Sequence, residues 1–152
     1  MSAESLKSQA PPAAGGAGEA IETARHALRL LAAIHSGAPV EPYLDLLTDD
    51  FVFYMPVGPF RGRNEGRERA AECYRQIAAS NPHILYEEPF RTTTNGQTVV
   101  FELEDGGTLF GGTAYHNRIA ASFDVRDGKI AAYREYFGEI DIALMTSMEQ
   151  TG

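Results

Sequence analysis

The sequence predicts an α+β domain, with three N-terminal helices packed on a curved, mainly antiparallel mixed sheet that closes into a cone-shaped barrel. Three observations carry this reading. Apolar residues recur at helical spacing as far as Ala78, the pattern changes to period two after Pro82, and a chain of 152 residues has room for one core. Helices and strands segregated in this way bury their apolar faces economically when the sheet wraps around the helices. Such a cone leaves an apolar pocket between its layers.

The first eighteen residues, rich in Ala, Pro and Gly around Ala10–Gly18, hold almost nothing to bury and are expected to form a disordered tail (1–18). The folded domain is expected over 19–145, followed by a short C-terminal tail, 146–152. Ile21, Ala24, Leu28, Leu31 and Ala32 share one helical face, and Ser36-Gly37 ends that helix. Pro42 opens a second, short helix that buries Tyr43, Leu46 and Leu47, until Thr48-Asp49-Asp50 breaks it. Phe51–Met55 reads as a strand stopped by Pro56. Asn64 caps a third helix with Ala70, Ala71, Tyr74, Ile77 and Ala78 on one face. Ile84–Thr94 and Thr98–Glu104 then read as strands joined by Asn95-Gly96, a strong hairpin signal. Asp105-Gly106-Gly107 reads as the next turn. Leu109–Val125 is a long strand bent at Gly111-Gly112, returned by Arg126-Asp127-Gly128 into Lys129–Phe137.

A balance of 13 basic against 21 acidic residues, net −8, speaks against nucleic acid, whose phosphates require a cationic surface. No apolar run has the length of a membrane span, and the N-terminus lacks the basic start and apolar stretch of a secretory signal. The single cysteine, Cys73, permits neither an internal disulfide nor a Cys-x-x-Cys pair, which fits a reducing, cytoplasmic setting. No His-x-His or His-Glu-x-x-His spacing occurs, so neither a metal nor another cofactor is expected.

Among residues that carry chemistry, Glu135 stands out. Alternation puts Tyr133, Glu135 and Phe137 on one face of the last strand and Arg134 and Tyr136 on the other. With the aromatic face inward, Glu135 becomes a carboxyl in an apolar cavity, where desolvation raises its pKa toward that of a general acid. With the faces reversed, it pairs with a surface arginine. Val100, Glu102 and Glu104 share a face that either is solvated or brings Glu102 to the pocket. His35 ends the first helix and faces either the cavity or the helix terminus. Tyr115 and Asn117, on the face of Ala121, either donate to a substrate oxygen or satisfy local backbone groups.

The order Asp49-Asp50-Phe51-Val52-Phe53-Tyr54-Met55-Pro56-Val57-Gly58, then Arg61-Gly62, then Tyr115-His116-Asn117, Phe123–Ile130 and Tyr133–Gly138 resembles the SnoaL-like branch of the nuclear transport factor 2-like, ketosteroid-isomerase-like superfamily. The resemblance covers about Ala20 to Ala143. It implies a fold and no single reaction. The general-base aspartate of the ketosteroid isomerases falls on Met55, their oxyanion-hole tyrosine on Leu30 and their oxyanion-hole aspartic acid on Ala121, so that constellation is absent. The two acids of the limonene-epoxide-hydrolase branch fall on Glu102 and Glu135, without the arginine that accompanies the first. Phenazine-biosynthesis proteins of this fold place an acid–base glutamate where Glu135 stands.

The resemblance and the alternation together imply a cofactor-independent enzyme that closes rings in polyketide-type natural products. It would act by cycloaddition or acid-assisted cyclisation, largely through conformational control. Glu135 and Glu102 are the expected catalytic groups. The expected substrate wall is Met55, Phe53, Leu30, Tyr115, Asn117, Ile119, Ala121, Tyr133, Phe137, Tyr74 and His35. Epoxide hydrolysis or epoxide-opening cyclisation by Glu102 and Glu135 is the alternative, and a non-catalytic ligand-binding or assembly domain is the third reading. The expected partners are a hydrophobic small molecule and a second copy of the chain. The homodimer would form through the outer sheet face (His116, Arg118, Arg134 and Tyr136).

Overall fold

The computed structural model describes residues 16–80, 83–108 and 112–139. Residues 1–15 of the expected tail 1–18, and the expected tail 146–152, lie outside them, whereas residues 16–18 are helical. Helix α1 (Gly16–Ile34) buries Ala20, Ala24, Ala27, Leu28, Leu31 and Ile34 along one face. It begins at Gly16, earlier than the composition suggested. It ends in a paired cap, Gly37 N–H to the Ile34 carbonyl and Ala38 N–H to that of Ala33, which Gly37 permits at φ +91°.

Helix α2 is a single turn, Glu41–Leu44. Leu47, expected within it, instead starts strand β1 (Leu47–Met55) and pairs with Ile130. The acidic break at Asp49-Asp50 is a register shift inside that strand, where Asp49 meets Arg67 and Asp50 meets Arg126 at the surface. A short strand β2 (Gly62–Glu65) follows and pairs antiparallel with β1. It displaces Asn64 from its expected capping role, and helix α3 (Arg67–Ala79) starts after Gly66 with no side-chain cap. The buried Asn64 amide instead donates to the carbonyls of Phe60 (2.7 Å) and Gly62 (3.2 Å) and accepts from Arg69 (3.1 Å), tying the turn to α3.

The expected strand Ile84–Thr94 is two strands, β3 (His83–Tyr86) and β4 (Arg91–Thr94), both on the same edge of β5 (Thr98–Thr108). Glu87 and Phe90 donate to the carbonyls of Glu104 and Glu102, so three steps on one side face two on the other. Pro89, with no N–H, sits in that bulge. The expected turn at Asp105-Gly106-Gly107 is corrected too, since these residues continue β5 between β3 and β6 (Ala114–Arg126). Strand β7 (Lys129–Phe137) completes one seven-stranded sheet in the order β2-β1-β7-β6-β5-β3, with β4 also on β5. Among the described residues, the named strands pair antiparallel except β1 with β7.

The helices cover the inner sheet face. Phe51, Phe53, Phe101, Phe123, Tyr133, Leu31, Leu103 and Ile119 lie below 3% exposure there, with ring centroids 5.0–6.0 Å apart, so one end of the cone is solidly packed. Among the described residues, no helix is long and apolar enough to cross a membrane.

Candidate active site

The cone is hollow at its other end. A cavity of about 130 Å³ opens there, at the C-terminal ends of β1, β5 and β7 and the N-terminal end of β6. The β1–β2 loop contributes Val57–Phe60, α3 contributes Cys73, Gln76, Ile77 and Ser80, and β3 contributes Ile84 and Tyr86. Met55 and Phe137 add apolar wall. His35, in the last turn before the cap of α1, comes in from the helix side.

Two carboxyls face this space. Glu135 follows Tyr133 by two residues on β7 and so shares its inward face. Burial pushes the Glu135 carboxyl up to about 7, opposed by the Tyr133 hydroxyl, which donates to Oε1 at 2.9 Å. Asp105 arrives on β5, one alternation beyond Val99, Phe101 and Leu103. Burial first, and then the Glu135 charge, push it up to about 7, while its own backbone amide and the Tyr115 hydroxyl oppose the rise. Its Oδ1 is buried without a hydrogen-bond partner. Near neutrality the two therefore divide their protons between them.

His35 is a neutral imidazole, because burial lowers its pKa more than its bond to the Leu31 carbonyl raises it. A carbonyl only accepts, so at 2.9 Å Nδ1 carries the proton and Nε2 is left as an acceptor. Tyr86 packs on the His35 ring at 5.2 Å, and burial raises the Tyr86 and Tyr115 hydroxyls above their ordinary range, leaving both as neutral donors. The Cys73 thiol is pushed up to about 12 by burial and by Glu135, so it is no nucleophile at neutral pH. Among the described residues, no group of three or more His, Cys, Asp or Glu side chains could hold a metal ion.

Of the residues expected at the site, Glu135, Met55, Tyr115, Phe137 and His35 line the cavity. Glu102 does not. It is on the outer sheet face, where its carboxylate takes Arg91 at 3.1 Å. Phe53, Tyr74, Ile119, Ala121 and Tyr133 lie in the packed end, because the aromatic cluster fills the space in front of them. Leu30 is half-buried on α1, away from the cavity. Asn117 uses its Oδ1 to accept the backbone amides of Arg118 (2.7 Å) and Glu139 (3.0 Å), stapling the end of β7 to β6. Asp105 and Tyr86 escaped the sequence reading. Extending the Val99-Phe101-Leu103 alternation by one step would have reached Asp105, but the two glycines after it read as a turn.

The model of the SnoaL-like domain matches residues 27–133. An NTF2-like protein from Anabaena variabilis is 39% identical, with 80% of this chain and 91% of that one covered at a TM-score of 0.74. A protein from Xanthomonas campestris pv. campestris, named as a candidate polyketide cyclase, is 20% identical over 86% and 98% of the two chains, TM-score 0.63. SalBIII, an epoxide hydrolase/cyclase-like enzyme of pyran ring formation in the polyether salinomycin, is 19% identical over 77% and 91%, TM-score 0.61. At that identity the last two likenesses carry the fold alone. Comparison with curated proteins gives no significant match. The family match over the helices and most of the sheet, on a cone-shaped fold of this topology, makes the chain a member of the SnoaL-like domain family, with the NTF2-like, ketosteroid-isomerase-like fold.

Proposed function

We propose that the chain is a cofactor-independent enzyme of the polyketide-cyclase type, closing a ring in a small, largely apolar molecule by acid–base catalysis. The observation that carries this reading is the pairing of Asp105 and Glu135 in one apolar cavity, both titrating at about 7. General acids and bases work best with a pKa near the working pH, and a pair holding one proton supplies both partners. Glu135, held by the Tyr133 hydroxyl in a way that favours the anion, is the base. Asp105, beside that charge, is the acid.

In a hydroxy-enone, Glu135 takes the hydroxyl proton as the oxygen attacks the β-carbon, and Asp105 protonates the developing enolate oxygen. The enol then returns to the ketone. One C–O bond forms, the C=C bond is lost, and no other co-reactant is needed. Purely conformational catalysis, which would suit an apolar mould, has less support in a cavity that holds two carboxyls. Candidate supporting roles are a hydrogen bond from Tyr115 to the same oxygen and orientation of the substrate by Met55 and Phe137.

Closure of a short hydroxy-enone to its tetrahydropyran, followed by chiral chromatography, tests the reading. The wild-type chain should give one enantiomer in excess, and Glu135→Gln should lower the rate by roughly 10²–10⁴-fold. Racemic product at the uncatalysed rate, or full activity in both Glu135→Gln and Asp105→Asn, refutes it.

A further inference from the structure

Among the described residues, the cavity contains two acids and no cation to balance them. Neither lysine nor arginine is among the described residues that line it. Arg91, Arg134, Arg126 and Arg75 pair with Glu102, Asp124, Asp50 and Glu41 outside it. Arg69 stacks on Phe60 at 4.2 Å and hydrogen-bonds Asn64 and Glu72. His35, the basic side chain in the wall, is neutral.

Buried carboxylates are normally paired or fully hydrogen-bonded. Asp105, 5% exposed, has one oxygen with no donor among the described residues. Around the acids, Tyr86, Tyr115 and Phe137 bring aromatic rings, whose negative faces attract cations. The volume, about 130 Å³, is close to the roughly 150 Å³ that accommodates a benzene ring, so the site suits a group of about six heavy atoms.

We propose that the cavity is a receptor for an organic cation, with an alkylammonium group seated between Asp105 and Glu135 and its apolar body against Met55, Ile77 and Phe137. The ammonium supplies both the donor that Asp105 Oδ1 lacks and the positive charge that the carboxyl pair lacks. The apolar wall excludes small inorganic cations, which would lose hydration there without enough oxygen ligands in return. This inference shares the two carboxyls with the acid–base reading but rests on none of its chemistry.

The test is calorimetric titration of the full chain at pH 7.5 with cyclopentylamine, cyclopentanol and cyclopropanecarboxylate, three compact probes of about six heavy atoms each. The amine should bind at least about tenfold more tightly than the alcohol, and the carboxylate should not bind. Glu135→Gln and Asp105→Asn should each weaken the amine by about fivefold or more and narrow its lead over cyclopentanol, while a wild-type near-ultraviolet circular dichroism spectrum certifies an intact fold. Where Asp105→Asn does not fold, Glu135→Gln alone carries the comparison. Alcohol or carboxylate binding as tight as the amine, or an amine affinity insensitive to the carboxyl variants, overturns the proposal. Ring closure of the hydroxy-enone is scored separately, so either idea falls without the other.

Discussion

Tyr133 lies beneath the cavity in the aromatic core, 1% exposed, and its hydroxyl reaches up to Glu135 Oε1. That donor stabilises the carboxylate over the carboxylic acid, against a desolvation that works the other way. Tyr133→Phe keeps the packed ring and removes only the donor. The Glu135 titration, followed by carboxyl carbon-13 NMR, should then move up from about 7 by about one pH unit, the equivalent of one ordinary hydrogen bond. A merely structural Tyr133 would leave that titration where it is. Asn117 shows the opposite division of labour, since its side chain faces inward yet serves two backbone amides, so removing it would loosen the end of β7 before it altered any chemistry.

Strand β5 is the element on which the site depends. Gly107 lies where β3 crosses closely, and a Cβ there would stand 1.8 Å from the His83 carbonyl oxygen, at a φ of +149°. Gly107→Ala should therefore push β3 off β5 and cost about 2–3 kcal/mol or more, read as a lowered denaturation midpoint with Asp105 newly exposed. The same glycine explains what could and could not be read from the chain. Helices α1 and α3, the Asn95-Gly96 hairpin and the inward face of β7 follow from periodicity, because each is local and strongly patterned. Asp105-Gly106-Gly107 carries the residue types of a turn, and only the pairing with β3 and β6 turns it into strand. Asn64 likewise has the chemistry of a cap, but tertiary pairing with β1 takes it into β2. The site divided along the same line. Alternation put Glu135 on the right face, but which inward residues meet empty space depends on how far the aromatic cluster fills the cone, and that is a property of packing rather than of pattern.

At the scale of the molecule, the two buried acids set a pH dependence. Glu135 and Asp105 titrate near 7 when folded, against ordinary values of 4.5 and 3.8, so between those limits the folded chain holds more protons than the unfolded one. Stability therefore falls as pH rises from about 4 to about 7 and stays reduced above that. His35 acts in the opposite sense: its folded pKa lies below 6.5, so unfolding takes up a proton below that pH. Above 6.5 only the acids count, and the melting temperature should decline toward pH 8. Keeping Glu135 charged costs about 3 kcal/mol, so Glu135→Gln should melt roughly 6–12 °C higher than wild type at pH 8, with the gap closing by pH 5. A gap that does not vary with pH would contradict this assignment. The parallel pairing of β1 with β7 has a consequence in time. It joins Phe53 to Tyr133, roughly 80 residues apart, so β1 waits for almost the whole domain before it gains that neighbour. Until then its edge is open to other chains, and the cavity does not exist, because Glu135 arrives with the last strand. A chain that stops before Lys129 should aggregate rather than melt cooperatively, and on refolding the Glu135 signal should appear in the slowest phase. For a nascent chain of this family, acquiring the site and completing the fold are one event.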